Sequence, residues 1–254
     1  MSKLHSAKPP SDEEVKTFVM AALKSESDFV ENDQDVCSAG LFKIAKSKTE
    51  SLVVSIDVNG RHFCNDLEVI HRGANGLTVQ AIDEPGSDNV RDIVRDVGKN
   101  GMNVLVIPTA LSDYEGANSC AAAWERIFVL QAGTMVDRSD EFRDFYRVRL
   151  NALPAEMQEI RSGKGQADLA GDNGICLQME SDKIKRFLGI SPKAGEDKAI
   201  GWINSRDEFL RRKGSAVLLE IGDSKSLAVL ARFAKDSDPV VAYEAKRALR
   251  GANK

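Results

Sequence analysis

The chain has 254 residues, 42% of them apolar and 29% charged, which is enough for one large core or two modest ones and too apolar for wholesale disorder. Its net charge of -4 argues against a general binder of nucleic acid or anionic membrane. The charge is uneven: from Arg206 onward 11 basic residues face 7 acidic ones, leaving 24 against 32 in the preceding part.

Four cysteines, at 37, 64, 120 and 176, form no CxxC and no close pair, a spacing that suits free thiols in a reducing compartment. Residues 1–10 lack an apolar leader, and no stretch approaches the length of a membrane span. A cytoplasmic protein without membrane contact is predicted.

Residues 1–10 read as a tail. Ser11 opens a helix through a capping box with Glu14, and Val15, Phe18, Val19, Ala22 and Leu23 make its apolar stripe. A second, weaker helix is predicted over Val36–Lys46, despite Gly40. Leu52, Val54, Ile56 and Val58 then alternate with polar residues, and Asn59-Gly60 suits a tight hairpin. The returning strand carries Phe63, Leu67 and Val69. After Gly73-Ala74-Asn75-Gly76 a third strand carries Leu77, Val79 and Ala81, so a three-stranded antiparallel meander is expected.

Glu84-Pro85-Gly86 ends the meander, and Ser87 or Asp88 caps a helix holding Val90, Ile93, Val94 and Val97, stopped by Asn100-Gly101. Val104–Ile107 read as a buried strand limited by Pro108. A long helix is expected to carry Ala121, Trp124, Ile127, Phe128 and Leu130. From about Ser139 onward the chain reads as wholly helical, broken by a glycine-rich linker over 162–174. The expectation is an α+β domain over 1–135, helices and linker over 136–174, and helical repeats over 175–254.

The repeat rests on self-similarity. A shift of 31 residues sets Asp207 on Asp238, Leu210 on Val241, Gly214 on Ala245, Val217 on Ala248 and Leu218 on Leu249. Trp202 falls on Phe233, Ile203 on Ala234 and Ala199 on Leu230, with a fainter copy at Phe187 and Ile190. The run Leu218-Leu219-Glu220-Ile221-Gly222-Asp223, with Leu227, Leu230, Asp238-Pro239-Val240-Val241, Ala245 and Ala248-Leu249, resembles the short HEAT-like repeat of phycobilin lyases. The resemblance covers roughly residues 193–252 and implies a stacked helical solenoid used for protein binding or scaffolding, not lyase activity. Within it Gly222-Asp223 makes a tight turn, Asp238 caps a helix and Pro239 takes its first position. Gly214 and the equivalent Lys183 depart from the pattern.

Other residues invite chemistry. Asp57 sits in a strand that resembles the first strand of RNase H-like folds, where Glu68, Asp92 and Asp113 would have to converge on two metal ions. His62 and His71 lie an odd number of places apart, which points them to opposite faces of an unbulged strand. Cys64 with His62 would make a nucleophilic pair without an orienting acid. Ser162-Gly163-Lys164-Gly165 fails the phosphate-loop pattern, because Gln158 and Gly165 stand where Gly and Ser or Thr are needed. Arg143, Arg147 and Arg149 around Phe145 and Tyr146 suggest either a nucleic-acid clamp or an ordinary helix that buries its aromatics; the acidic surroundings favour the helix.

The sequence therefore assigns no catalytic, cofactor-binding or metal-binding residue and implies no cofactor. It points to a non-enzymatic protein-binding or assembly module with a protein partner, and with self-association as a further property. Two alternatives stand beside it: a metal-dependent nuclease or phosphodiesterase acting through the N-terminal part, and a self-assembling structural protein. Nucleic acid and membrane are not expected partners.

Overall fold

The computed structural model describes residues 11–23, 35–57 apart from 46 and 48, 64, 66–73, 76–82, 88–98, 101–110, 123–162 and 175–251. The chain divides into two compact units, one of residues 1–109 and 125–145, the other of 110–124 and 146–254. Among the described residues no helix is long and apolar enough to cross a membrane.

The first unit opens with α1 (Asp12–Leu23), started by the expected capping box. The Ser11 amide and hydroxyl both donate to Glu14, at 2.7 and 2.9 Å, and the Glu14 amide donates back to Ser11 Oγ at 3.3 Å. Strands β1 (Asp35–Phe42), β2 (Ser51–Asp57), β3 (Asp66–Gly73) and β4 (Gly76–Ile82) follow as one antiparallel sheet in chain order. The expected meander is present, and β1 extends it where a helix over Val36–Lys46 is predicted. That helix is corrected: Ala39–Phe42 lie in unbroken register along Val54–Ser51, so the partner strand takes up backbone groups that a poor helix former such as Gly40 would hold only weakly. The Asn59-Gly60 turn lies outside the described residues.

Strand β2 is buried along its whole length because both faces are covered. Leu52, Val54 and Ile56 pack with Val15 and Val19 of α1, while Val53 faces a second core with Leu67 and Val69. Val36 pairs with Ile56 and Ser38 with Ser55, which leaves Cys37 as the extra residue of a β-bulge. Its sulfur is bonded to Cys64, with the Cα atoms 6.1 Å apart, and Cys176 is disulfide-bonded as well. The expectation of free thiols is therefore corrected, because the fold brings together cysteines that are far apart in sequence.

A short helix, α2 (Val90–Ile93), capped by Asn89, leads into β5 (Val94–Arg95), replacing the longer helix expected through Val97. Strands β6 (Val104–Ala110), β7 (Ala123–Gln131) and β8 (Thr134–Asp137) complete a second four-stranded sheet in the order β5-β6-β7-β8. Strand β6 continues through Pro108 instead of ending there. The long helix expected to carry Ala121, Trp124, Ile127, Phe128 and Leu130 is also corrected: Ala121 lies outside the described residues, and the other four lie in β7. Ile127–Leu130 form a continuous buried run, and Ala132 (φ 51°) and Gly133 (φ 82°) make a tight left-handed turn into β8. At the edge of β4 the Gln80 carboxamide acts as a piece of strand: it donates to the Met135 carbonyl at 3.2 Å and accepts from the Met135 amide at 2.6 Å.

Beyond Ser139 the described chain is helical, as expected. Its helices are α3 (Arg143–Arg161), α4 (Ile175–Leu188), α5 (Glu196–Ile203), α6 (Glu208–Ile221), α7 (Ser224–Ala231) and α8 (Pro239–Gly251). In the second unit α5 packs on α6 and α7, while α8 packs on α6 and α7. Their shared core holds Ala199, Ile203, Val217, Leu218, Leu230, Ala245 and Ala248. Three aspartates open the last three helices. Asp207 accepts from the Phe209 amide at 2.8 Å, Asp223 from Ser226 at 2.8 Å and Asp238 from Val240 at 2.8 Å. Gly222 closes α6 in the left-handed conformation (φ 65°), its amide donating to Leu218. Gly214 has a steric reason: a Cβ there would sit 2.6 Å from the Ile203 nitrogen and 2.7 Å from the Ala199 oxygen, so the α5 backbone passes directly against α6.

Candidate functional site

The carboxylates of the nuclease reading do not converge. Asp57 is 4% exposed at the end of β2. Glu68 stands opposite Val54, three places along β2 from Asp57, and three places on a regular strand put the two side chains on opposite faces of the sheet. Burial pushes the Glu68 carboxyl up, and the charge of Asp66 adds to the rise. Asp92 is exposed on α2, and Asp113 lies outside the described residues. Among the described residues no three His, Cys, Asp or Glu side chains are grouped to hold a metal ion.

His71 lies with Nδ1 3.3 Å from Ser51 Oγ across β2 and β3, and His62 lies outside the described residues. A nucleophilic Cys64 is ruled out because its sulfur is already in a disulfide. Ser162 closes the described part of α3, and the rest of the Ser162–Gly165 segment lies outside it.

The arginine cluster is engaged inside the chain. Tyr146 is buried, its ring 5.4 Å from that of Trp124 and 4.8 Å from that of Phe187. Arg149 donates to both oxygens of Glu180, at 2.7 and 2.9 Å, and to Glu156 at 2.5 Å. The Glu180 hydrogen bonds foremost hold its guanidinium charged more firmly than usual, against the cost of burial. Arg143 and Arg147 have partners within the chain too. Tyr146 belongs to the core and Arg149 braces it, while Phe145 is half-buried and Arg147 exposed.

The second unit holds a charged recess between α4, α5 and α6, lined by Asp182, Arg186, Gly195, Lys198, Trp202 and Glu220. Arg186 donates to the Ala194 carbonyl at 2.5 Å and to Glu220 at 3.2 Å. Its buried Nε has no protein partner. Lys183 also pairs with Glu220 and lies over the Trp124 ring. This recess is a structural ion-pair cluster.

The exposed side chains of α6 and α8 are different in kind. Phe209 is 41% exposed, Tyr243 57% and Leu249 43%. Arg247 lies 5.9 Å from the centre of the Tyr243 ring, and Arg212 lies 5.9 Å from that of Phe209. Lys246, Arg247 and Arg250 are exposed beside Tyr243, whereas Glu244, the only acid in α8, is buried. The sequence reading passed over Tyr243 and placed Leu249 in the core as the counterpart of Leu218. Tyr243 falls outside the Val241, Ala245, Ala248 stripe, which signals its exposure, while Leu249 carries no such mark. No protein-family model matches the chain, and neither a curated protein nor a solved structure does.

Proposed function

We propose that the chain is a non-enzymatic protein-binding or assembly module, and that residues 175–254 are a HEAT-like helical solenoid that recognises a protein partner. The observation that carries this reading is one packing scheme recurring at the 31-residue period. Asp207 and Asp238 cap equivalent helices, Gly214 and Ala245 are both buried, and so are Val217 and Ala248. Helix α6 lies on α8 as α5 lies on α7. Stacked hairpins of this kind share a core and hold their outward side chains in fixed rows, which suits an extended binding surface. Exposed aromatic side chains beside arginine are the types that dominate protein interfaces.

Among the described residues the nuclease alternative has no assembled site to act through, since Asp57 and Glu68 lie on opposite faces of the sheet. The cytoplasmic location expected from free thiols loses its support with the Cys37–Cys64 bond, which suits an oxidising compartment.

Affinity capture with the intact chain tests the proposal when run beside a Phe209→Ala, Tyr243→Ala, Leu249→Ala triple variant. All three residues are exposed, so the variant is expected to fold and to lose the proteins that the wild type retains. A variant that keeps every partner would remove the helical region as the binding surface.

A further inference from the structure

We infer that the side of α8 carrying Tyr243, Lys246, Leu249 and Arg250 is a docking face for an acidic amphipathic helix of a partner protein. The inference rests on the repeat reading above and specifies the chemistry of its partner.

The argument starts from the equivalent side of α6. One period earlier, the four places are held by Arg212, Ser215, Leu218 and Leu219. There the side is covered. Ser215 and Leu218 are fully buried, and Leu218 shares its core with Leu230 of α7 and with Ala245 and Ala248 of α8. Arg212 donates to Asp238 at 2.6 Å and Arg211 to Asp236 at 3.3 Å, so two acids just before α8 meet two arginines of α6. Burial alone would push the Asp238 carboxyl up, but the Arg212 hydrogen bond and the α8 amides hold it low. The chain thus contains its own example of what seats on such a face: a helix preceded by carboxylates, with an apolar side turned to the leucine.

On α8 the corresponding side is open. Tyr243 and Leu249 are 57% and 43% exposed, and Lys246 and Arg250 stand exposed between and beside them. The spacing i, i+3, i+6, i+7 puts all four on one side of the helix, the arrangement by which a helix receives another helix. The charge selects the partner. A second copy meeting this face about a two-fold axis would set Lys246 and Arg250 against their own like charges. A carboxylate-rich helix meets them with opposite charge and offers an apolar side to Leu249 and Tyr243.

Fluorescence anisotropy on the full chain, with two synthetic helical peptides of one leucine pattern, tests this. One peptide is Glu-rich and the other Lys-rich, and a labelled single-stranded oligonucleotide serves as a third probe. The Glu-rich peptide is expected to bind, and the exposed-site variant Lys246→Glu, Leu249→Asp, Arg250→Glu to weaken it by at least about tenfold. Salt raised from about 0.05 M to about 0.5 M is expected to weaken it further. Equal binding of the Lys-rich peptide or the oligonucleotide, or a variant that binds unchanged while its circular dichroism is native, would overturn the inference. A photo-crosslinker placed at Leu249 or at the exposed Phe209 of α6 separates the two readings. Crosslinks from Leu249 to the Glu-rich peptide support the docking face. Crosslinks from Phe209 alone keep the protein-binding reading and sink this face. No crosslink from either, together with no partner lost in the triple variant above, sinks both.

Discussion

Leu218 and Leu249 hold the same place in the 31-residue period, yet Leu218 is fully buried and Leu249 is 43% exposed. The sequence alignment makes them equivalent core positions, and the structure corrects that: a leucine on this side of a helix is buried only when another hairpin lies over it. Leu218→Ala is expected to cost about 2–5 kcal/mol through the cavity it leaves. Leu249→Ala is expected to cost under about 1 kcal/mol. Denaturant melts of the two variants check the contrast, and equal losses would mean that Leu249 is covered in solution. Asp223 offers a second measurement at this scale. Its hydrogen bond from Lys193, then that from the Ser226 amide, hold its carboxyl at about 2, below the roughly 3.9 of an unfolded chain. A carboxyl lowered by folding stabilises the fold above the unfolded value and stops doing so as pH falls through the folded one. Asp223→Asn is therefore expected to melt below the wild type at about pH 5, with the gap closing towards about pH 2. A gap that stays constant across that range would show that the charge of Asp223 is not the cause.

Elements whose signals are local were legible. The Ser11–Glu14 box, the Asp238 cap and the Gly222-Asp223 turn each act within a few residues, and each forms as the sequence indicates. Strands β1 and β7 were not legible, because what makes them strands is a partner elsewhere in the chain. In β7 the positions Trp124, Ile127 and Phe128 imitate a helical period, while the unbroken Ile127–Leu130 run and the Ala132-Gly133 turn carry the better signal. Lys246, Arg247 and Arg250 are exposed, as long charged side chains ordinarily are; the exposure of Leu249 depends on a neighbour that its own pattern does not encode. The disulfide belongs to the same class. Cys37 reaches Cys64 through a bulge, over a separation of 27 residues that leaves no local mark. Replacing both with serine is expected to cost about 3 kcal/mol, chiefly by freeing the unfolded chain. Intact mass spectrometry after alkylation checks the bond itself, and full alkylation of the wild type without reductant would restore the free-thiol reading.

For the whole chain, the final helix is the element on which solubility turns. Helix α8 covers Leu218 with Ala245 and Ala248, so deleting residues 239–254 would bare an apolar surface. Light scattering is expected to show aggregation of the truncated protein. A soluble, folded truncation would show that α8 is dispensable. The acidic remainder and the basic end also make any self-association of the intact protein sensitive to salt. It should weaken by about 0.5 M, since exposed ion pairs are screened there. Elsewhere in the molecule, the seam between β4 and β8 depends on one carboxamide. Gln80 both gives and takes a hydrogen bond at Met135, which only an amide can do from that position. A carboxylate there, as in Gln80→Glu, would set an oxygen against the Met135 carbonyl. Exchanging one nitrogen for an oxygen would then unfasten two strand edges and leave them open to strands of neighbouring molecules, so resistance to edge-to-edge aggregation rests in part on Gln80.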